Sequence, residues 1–218
     1  MIVCRSFIHF IKIRKMIDYG FIKEIDAAGG FEKVEDYLKQ KFGVSDIFSL
    51  KQVHGDKILV DESGEADGII ITKNGFAGVV RTADCFPVVL FDRKKDVSGV
   101  FHCGWRGTEL GIHKKGFEKM LKMGCKDIEA VIFPGIGECC FEIGFELKER
   151  FNKAEIPLVV RDGKLYADIL KKLENDLNRL GAVSITSKAV CTYCGDGYFS
   201  YRKDGTKKRH ATFIAKFS

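Results

Sequence analysis

Two side chains in this sequence are spaced so that a β-hairpin would bring them together. FPVVLFD (86–92) and VSGVFHC (97–103) are apolar runs of equal length around the charged turn DRKKD at 92–96, which is the pattern of an antiparallel hairpin. Centring that turn between Arg93 and Lys94 sets Cys85 opposite His102. Opposed residues share a face with Cα atoms about 4.5–5.5 Å apart. Two chemistries are open to a thiol and an imidazole so placed: the histidine can activate the thiol as a nucleophile, or both can ligate a metal ion. A buried cysteine beside an ordinary half-buried histidine is the third reading. The register decides, because a one-residue slip turns the two side chains to opposite faces. His54, in the polar turn of KQVHGDK, is the candidate third group and otherwise a solvated loop histidine.

The elements that must position these residues are legible as short β-branched and aromatic runs. KILV (57–60), DGIIITK (67–73), FAGVVRT (76–82), the two hairpin arms, IEAVIFP (128–134), VSITSKAVC (183–191) and ATFIAKF (211–217) have strand length and composition. Helical spacing joins Phe31, Val34, Leu38 and Phe42, then Ile112, Phe117 and Leu121, then Tyr166, Ile169, Leu173, Leu177 and Leu180, ending at Gly181 as a C-terminal cap. Strands cluster between 57 and 103 instead of alternating with helices, which predicts an α+β fold with antiparallel or mixed sheets. Neither GxGxxG nor GxxxxGK[ST] occurs to contradict that fold class.

Composition narrows the function classes. A chain of 218 residues with 45% hydrophobic content and three prolines predicts one packed domain over 1–218, with no linker. Charges break every apolar stretch well before a membrane span, and Arg5, His9, Lys12 and Arg14 interrupt the N-terminal run that would otherwise suggest a signal peptide. The expected location is the cytoplasm, with the eight cysteines reduced. The net charge is +6, but 30 acidic residues are interspersed among 36 basic ones. That mixture favours small anionic molecules over nucleic acid.

Six blocks carry a family resemblance: QVHG (52–55), ADG (66–68), RTADC (81–85), HCGWRGT (102–108), PGIGECCFEIG (134–144) and FSYRKDG (199–205). In this order they resemble the multicopper polyphenol oxidoreductase, or laccase-domain, family, now regarded as purine nucleoside phosphorylases. The likeness runs from about residue 50 to the C-terminus. The first 45 residues match poorly, and of the family's Thr-x-Arg-x-Gly-Gly stretch only Gly29 and Gly30 stand here. The resemblance implies an α/β/β/α layered fold and a zinc ion held by His54, Cys85 and His102. Two imidazoles and a thiolate suit tetrahedral Zn²⁺, and three protein ligands leave a fourth position open, as in catalytic sites. Copper could occupy the same ligands in vitro.

Around that centre, Asp84 reads either as a structural acceptor or as a proton-transfer group. Arg106 precedes a helix expected to begin near Thr108 and is the candidate phosphate anchor, with packing on Trp105 as the alternative. Arg202 and Arg209 are lesser anion candidates, Gln52 a reader of the purine edge or a ribose hydroxyl, and Glu142 an acid, base or surface ion pair. Cys191-x-x-Cys194 has redox or zinc spacing, but no second CxxC or histidine pair completes it. Cys139 and Cys140 would diverge in extended structure, so core packing is expected for at least one. His113 and His9 read as incidental.

The resemblance implies a zinc enzyme acting on adenosine, inosine or methylthioadenosine with phosphate, with adenosine deamination as a second activity. One rival is a Cys/His hydrolase, for instance an amidase on peptidoglycan precursors, with Cys85 as nucleophile. The other is a non-catalytic binding protein using its basic surface.

Overall fold

The computed structural model describes residues 17–23 and 25–217. His9 and the N-terminal run weighed as a signal peptide lie outside the described residues. In chain order the elements are β1 (Ile17–Ile22), α1 (Phe31–Phe42), β2 (Asp46–Lys51), β3 (Ile58–Val60), β4 (Gly64–Glu65), β5 (Gly68–Ile71), β6 (Phe76–Thr82), β7 (Phe86–Asp92) and β8 (Val97–Cys103). They continue as α2 (Trp105–Glu109), α3 (Ile112–Lys122), β9 (Glu129–Ile132), β10 (Glu142–Ile143), α4 (Lys148–Lys153), β11 (Leu158–Arg161), β12 (Lys164–Ala167), α5 (Ile169–Arg179), β13 (Ser184–Ser187), α6 (Tyr201–Asp204) and β14 (His210–Lys216).

Period-two alternation builds the layers. In β7, Val88 and Leu90 point to a core shared with α3 and α5, while Val89 and Phe91 point to a core between two sheets. Across that inner core stands the sheet β1-β14-β6-β2-β4, which faces the sheet β13-β9-β7-β8-β5-β3. Val80 of β6 turns inward to the shared core, and Val79 turns outward to a third core under Val34 and Leu38 of α1. The result is helix, sheet, sheet, helix, with mixed pairing: β6 runs antiparallel to β14 but parallel to β2. Strands buried on both faces read as continuous apolar runs, which is why β6, β7 and β8 coincide with the runs recognised in the sequence. Burying a side chain such as Phe101, fully covered between β8 and α3, contributes about 1.5–3 kcal/mol.

Three expectations are corrected. The hairpin pairs Asp92 with Val97 and Pro87 with His102, a register two residues from the expected one. Asp92 Oδ1 accepts the N–H groups of Lys94 and Lys95, both at 2.9 Å, and Asp96 takes a left-handed φ of 58°. This Asx-type turn holds a four-residue loop where the equal flanking runs suggested a tighter one. Because the slip is even, Cys85 and His102 become diagonal neighbours and stay on the same face. Tyr166 belongs to β12, and α5 begins only after Asp168, whose carboxylate caps it by accepting from Lys171 N at 2.8 Å. The helix expected near Thr108 starts at Trp105 behind Gly104, so Thr108 lies inside α2 and caps nothing. Strands β2, β4 and the small sheet β10-β12-β11 went unread because they are short or only half buried, and β1, though mostly buried, went unread because Asp18 and Gly20 break its apolar run.

Candidate metal centre and active-site cavity

Three segments converge on one point. His102 is carried by β8, Cys85 immediately precedes β7, and His54 sits in the loop after β2 with a left-handed φ of 61°. Their ligand atoms all lie within 4.8 Å of one another. The two imidazole rings are 4.7 Å apart and nearly perpendicular at 75°. Gly104 makes the convergence possible: a Cβ there would come within 2.9 Å of Cys85 Sγ and 3.2 Å of the His54 ring.

Asp67, whose ADG block carried no assigned role, organises the site from beneath. Fully buried, it accepts the backbone N–H groups of Val53, His54 and Gly55 at 2.8–3.1 Å, which folds the QVHG loop over the strand ends. Its Oδ1 also accepts from His102 Nδ1 at 2.7 Å. A carboxylate can only accept, so Nδ1 donates to Asp67 and Nε2 is the ring nitrogen turned toward Cys85 and His54. This carboxylate–histidine arrangement is the usual means of orienting a metal-binding imidazole. Burial works against the Asp67 carboxylate, but the bonds from His102 and the loop amides hold its pKa below the ordinary value.

Electrostatics prepare the thiol. Burial alone would raise Cys85, but the neighbouring His102, and His54 more weakly, bring it down to about 6. Burial likewise opposes charge on His102, yet Cys85 and Asp67 raise it to about 9. At neutral pH the metal-free pair is thus a thiolate beside an imidazolium; the thiolate is the form required of a ligand or a nucleophile, and a bound ion would take the place of the proton on His102 Nε2. The donor set of one thiolate and two imidazoles fits Zn²⁺ with a vacant fourth position.

The triad opens into a cavity of about 620 Å³, within the range of small-molecule sites. Its lining combines apolar groups, including Trp105, Ile136 and Phe141, with the cations Arg81, Arg202, Lys207 and Arg209. Desolvation and the nearby charge of Arg209 both lower the Arg81 pKa, so an anion between these guanidinium groups relieves their mutual repulsion.

The other expected residues are brought to this cavity unequally. Asp84 lines it in a strained conformation, φ 94°, with Oδ1 accepting from Thr192 Oγ1 and Oδ2 from Arg202 N, each at 2.7 Å. Gln52 also lines it, but its amide is engaged at both ends by the Arg81 backbone, at 2.8 and 2.9 Å. Arg202 reaches it over the Phe141 ring, held by the carbonyl of Glu142. The Glu142 carboxylate instead pairs with Lys164 at the surface, 2.9 Å apart, and is not part of the lining. Arg106 is exposed, lies 4.4 Å from the Trp105 ring centroid and is likewise outside the lining. His113 is buried against Asp176 in the α3–α5 contact, away from the cavity. Arg81 and Asp67 were missed. Both stand in the quoted blocks RTADC and ADG, beside residues given roles.

Comparison with known proteins places this geometry in context. Residues 24–216 match the family described as multi-copper polyphenol oxidoreductase laccase. A purine nucleoside phosphorylase of Aquifex aeolicus is 36% identical over 177 residues, covering 79% of this chain and 84% of that protein. One from Clostridium acetobutylicum is 36% identical over 192 residues, covering 82% and 80%. The purine nucleoside phosphorylase YfiH of Escherichia coli is 32% identical, covering 84% and 81%. The crystal structure of the hypothetical protein YfiH from Bacillus licheniformis superposes with a TM-score of 0.80 over 96% of this chain and 99% of its own, at 22% identity. YlmD from Geobacillus stearothermophilus gives 0.79 with the same coverage and identity. With the match spanning every described strand after β1 and all three converging side chains, the chain belongs to the multi-copper polyphenol oxidoreductase laccase family.

Proposed function

We propose that the protein is a zinc-dependent purine nucleoside phosphorylase of the cytoplasm, cleaving adenosine, inosine or methylthioadenosine to the free base and ribose 1-phosphate. The observation that carries this reading is the opening of His54, Cys85 and His102 into a cavity lined by both aromatic and cationic side chains. The names of the relatives point the same way. Bound by the triad, Zn²⁺ would act there as a Lewis acid toward an electron-rich substrate atom.

The remaining work falls to the chain's own side chains. Arg81 and Arg209, with Lys207 and Arg202 in the same lining, hold phosphate for in-line attack on the ribose C1′. The expected role of Arg106 passes to them. Phe141 and Trp105 offer the purine apolar faces and exclude water. A phosphate oxygen forms the new bond to C1′ as the N-glycosidic bond breaks, and its electron pair leaves on the purine nitrogen, which takes up a proton. Asp84, with both carboxylate oxygens engaged, positions Arg202 and the residue before β7 instead of transferring a proton. Adenosine deamination would use the same cavity with water in place of phosphate and ammonia as the second product.

A second reading draws on the Cys85–His102–Asp67 chain, which also has the order of nucleophile, base and orienting carboxylate. A hydrolase needs no His54, so the convergence of a second imidazole favours the metal. The deciding experiment incubates the protein with adenosine, with and without phosphate, and resolves adenine, inosine, hypoxanthine and ribose 1-phosphate. Adenine with equimolar ribose 1-phosphate, dependent on phosphate, supports phosphorolysis. Free ribose, or activity that survives chelation but not alkylation, supports the hydrolase.

A further inference from the structure

Cys139, Cys140, Cys191 and Cys194 stand apart from the triad, and nothing above gives them a role. We propose that they form a second metal site, a closed tetrathiolate that binds a single thiophilic divalent cation, Zn²⁺, and pins together two turns beside the cavity.

The geometry is that of a ligand cage. All four Sγ atoms lie within 4.8 Å of one another, and Cys139 and Cys194 are 3.8 Å apart. Tetrahedral Zn²⁺ with bonds of about 2.3 Å requires sulfur–sulfur edges of about 3.8 Å. All four are free thiols. The second ligand pair that the Cys191-x-x-Cys194 spacing lacks in sequence is supplied by Cys139 and Cys140, with Cys139 lying 55 residues before Cys194 along the chain. These adjacent residues converge because they occupy a turn, not a strand: the N–H groups of Cys140 and Phe141 both return to Gly137 O, at 3.0 and 2.9 Å. Gly137 clears the space between the pairs, since a Cβ there would sit 3.2 Å from Cys139 Sγ and 3.3 Å from Cys191 Cβ.

The second pair is built as a knuckle. Gly195 N donates to Cys191 O at 2.8 Å, closing the turn. Cys139 and Cys194 are exposed, which gives an ion a path of entry. Four protein ligands leave no vacant position, so this is a structural centre. Its location gives it work to do. The first turn runs into Phe141 of the cavity wall, and the second contains Thr192, which holds Asp84 beside Cys85.

Zinc X-ray absorption and metal analysis on reduced protein test the proposal. The Cys85→Ala protein should hold about one zinc per chain with four sulfurs at about 2.3 Å. Cys139→Ser combined with Cys194→Ser in the otherwise native chain should lower zinc from about two per chain to about one, leaving a nitrogen-rich shell. Should either variant fail to fold, the native protein still decides. About 2.5 sulfurs per zinc at two zincs per chain supports both centres, and one zinc with four sulfurs supports this one while removing the triad's metal. One zinc with a single sulfur, or four cysteines recovered as disulfides or as metal-free thiols in excess zinc, would overturn the proposal.

Discussion

The two groups of side chains proposed to ligate metal are held in place by different means. His102 is locked in β8 by a buried carboxylate, and Cys85 is fixed by the strand that follows it, so the sheet presents these ligands whether or not an ion is bound. The four cysteines stand on turns joined to each other by the isolated bridge between Gly135 and Cys191, with little regular structure to fix them. The first set is mixed in donor type, incomplete as a coordination shell and open to a cavity; the second is uniform and complete. A site that must leave a position for substrate needs a scaffold that is rigid without the ion, whereas a complete shell can itself supply the order that its turns lack.

Removing one ligand from each site should separate these roles. Cys85→Ala should reduce phosphorolysis by about a thousandfold with little change in thermal midpoint. Cys194→Ser should chiefly lower the midpoint, and parallel losses of activity and stability in both variants would erase the distinction.

Acid offers a contrast that involves no metal. His210, fully buried in β14, donates from Nδ1 to Lys23 O and accepts Phe199 N at Nε2, and burial, the largest cause, lowers its pKa to about 4. The unfolded chain takes up this proton near pH 6.5 and the folded chain only near 4, so stability is complete above 6.5 and declines between those values, by up to about 3 kcal/mol. Urea midpoints measured in chelator at pH 7 and pH 5 should show the loss in native protein and not in a stably folded His210→Asn variant. Equal slopes would assign the acid sensitivity elsewhere.

Smaller effects probe how the sheet-held site is tuned. Asp67→Asn should weaken zinc at the triad by about 10- to 100-fold, read by competition with a chelator, while the tetrathiolate keeps its ion. Arg209→Ala should raise the phosphate KM by about tenfold or more and the nucleoside KM much less. Arg106→Lys, outside the cavity, should leave both within about twofold. A large phosphate effect there would restore the role suggested by its position after His102.

The same division explains what could be read from the sequence. Strands buried on both faces, β6, β7 and β8, declare themselves as apolar runs, and with them comes the shared face of Cys85 and His102. Their exact register did not, because it depended on the Asp92 side chain folding a four-residue loop. Tyr166 has helical spacing with Ile169 but pairs as a strand with Val159 and Glu142, a tertiary choice that periodicity does not record. The cysteine cluster was hidden for a related reason: its halves are distant in the chain, and the turn that makes Cys139 and Cys140 converge leaves no apolar pattern. Asp67 and Arg81 act through long-range bonds to a loop amide, a ring nitrogen and a carbonyl.

If the three-ligand centre, not a nucleophilic thiol, drives phosphate-dependent cleavage, turnover must follow the filling of His54, Cys85 and His102 by the ion. The most direct test returns Zn²⁺ stepwise to chelator-stripped protein, with its thiols kept reduced, and follows ribose 1-phosphate formed from adenosine and phosphate. Turnover should be negligible without zinc, recover as the triad fills, and not recover in Cys85→Ala. Full turnover in the stripped protein, abolished by alkylation of Cys85, would contradict it.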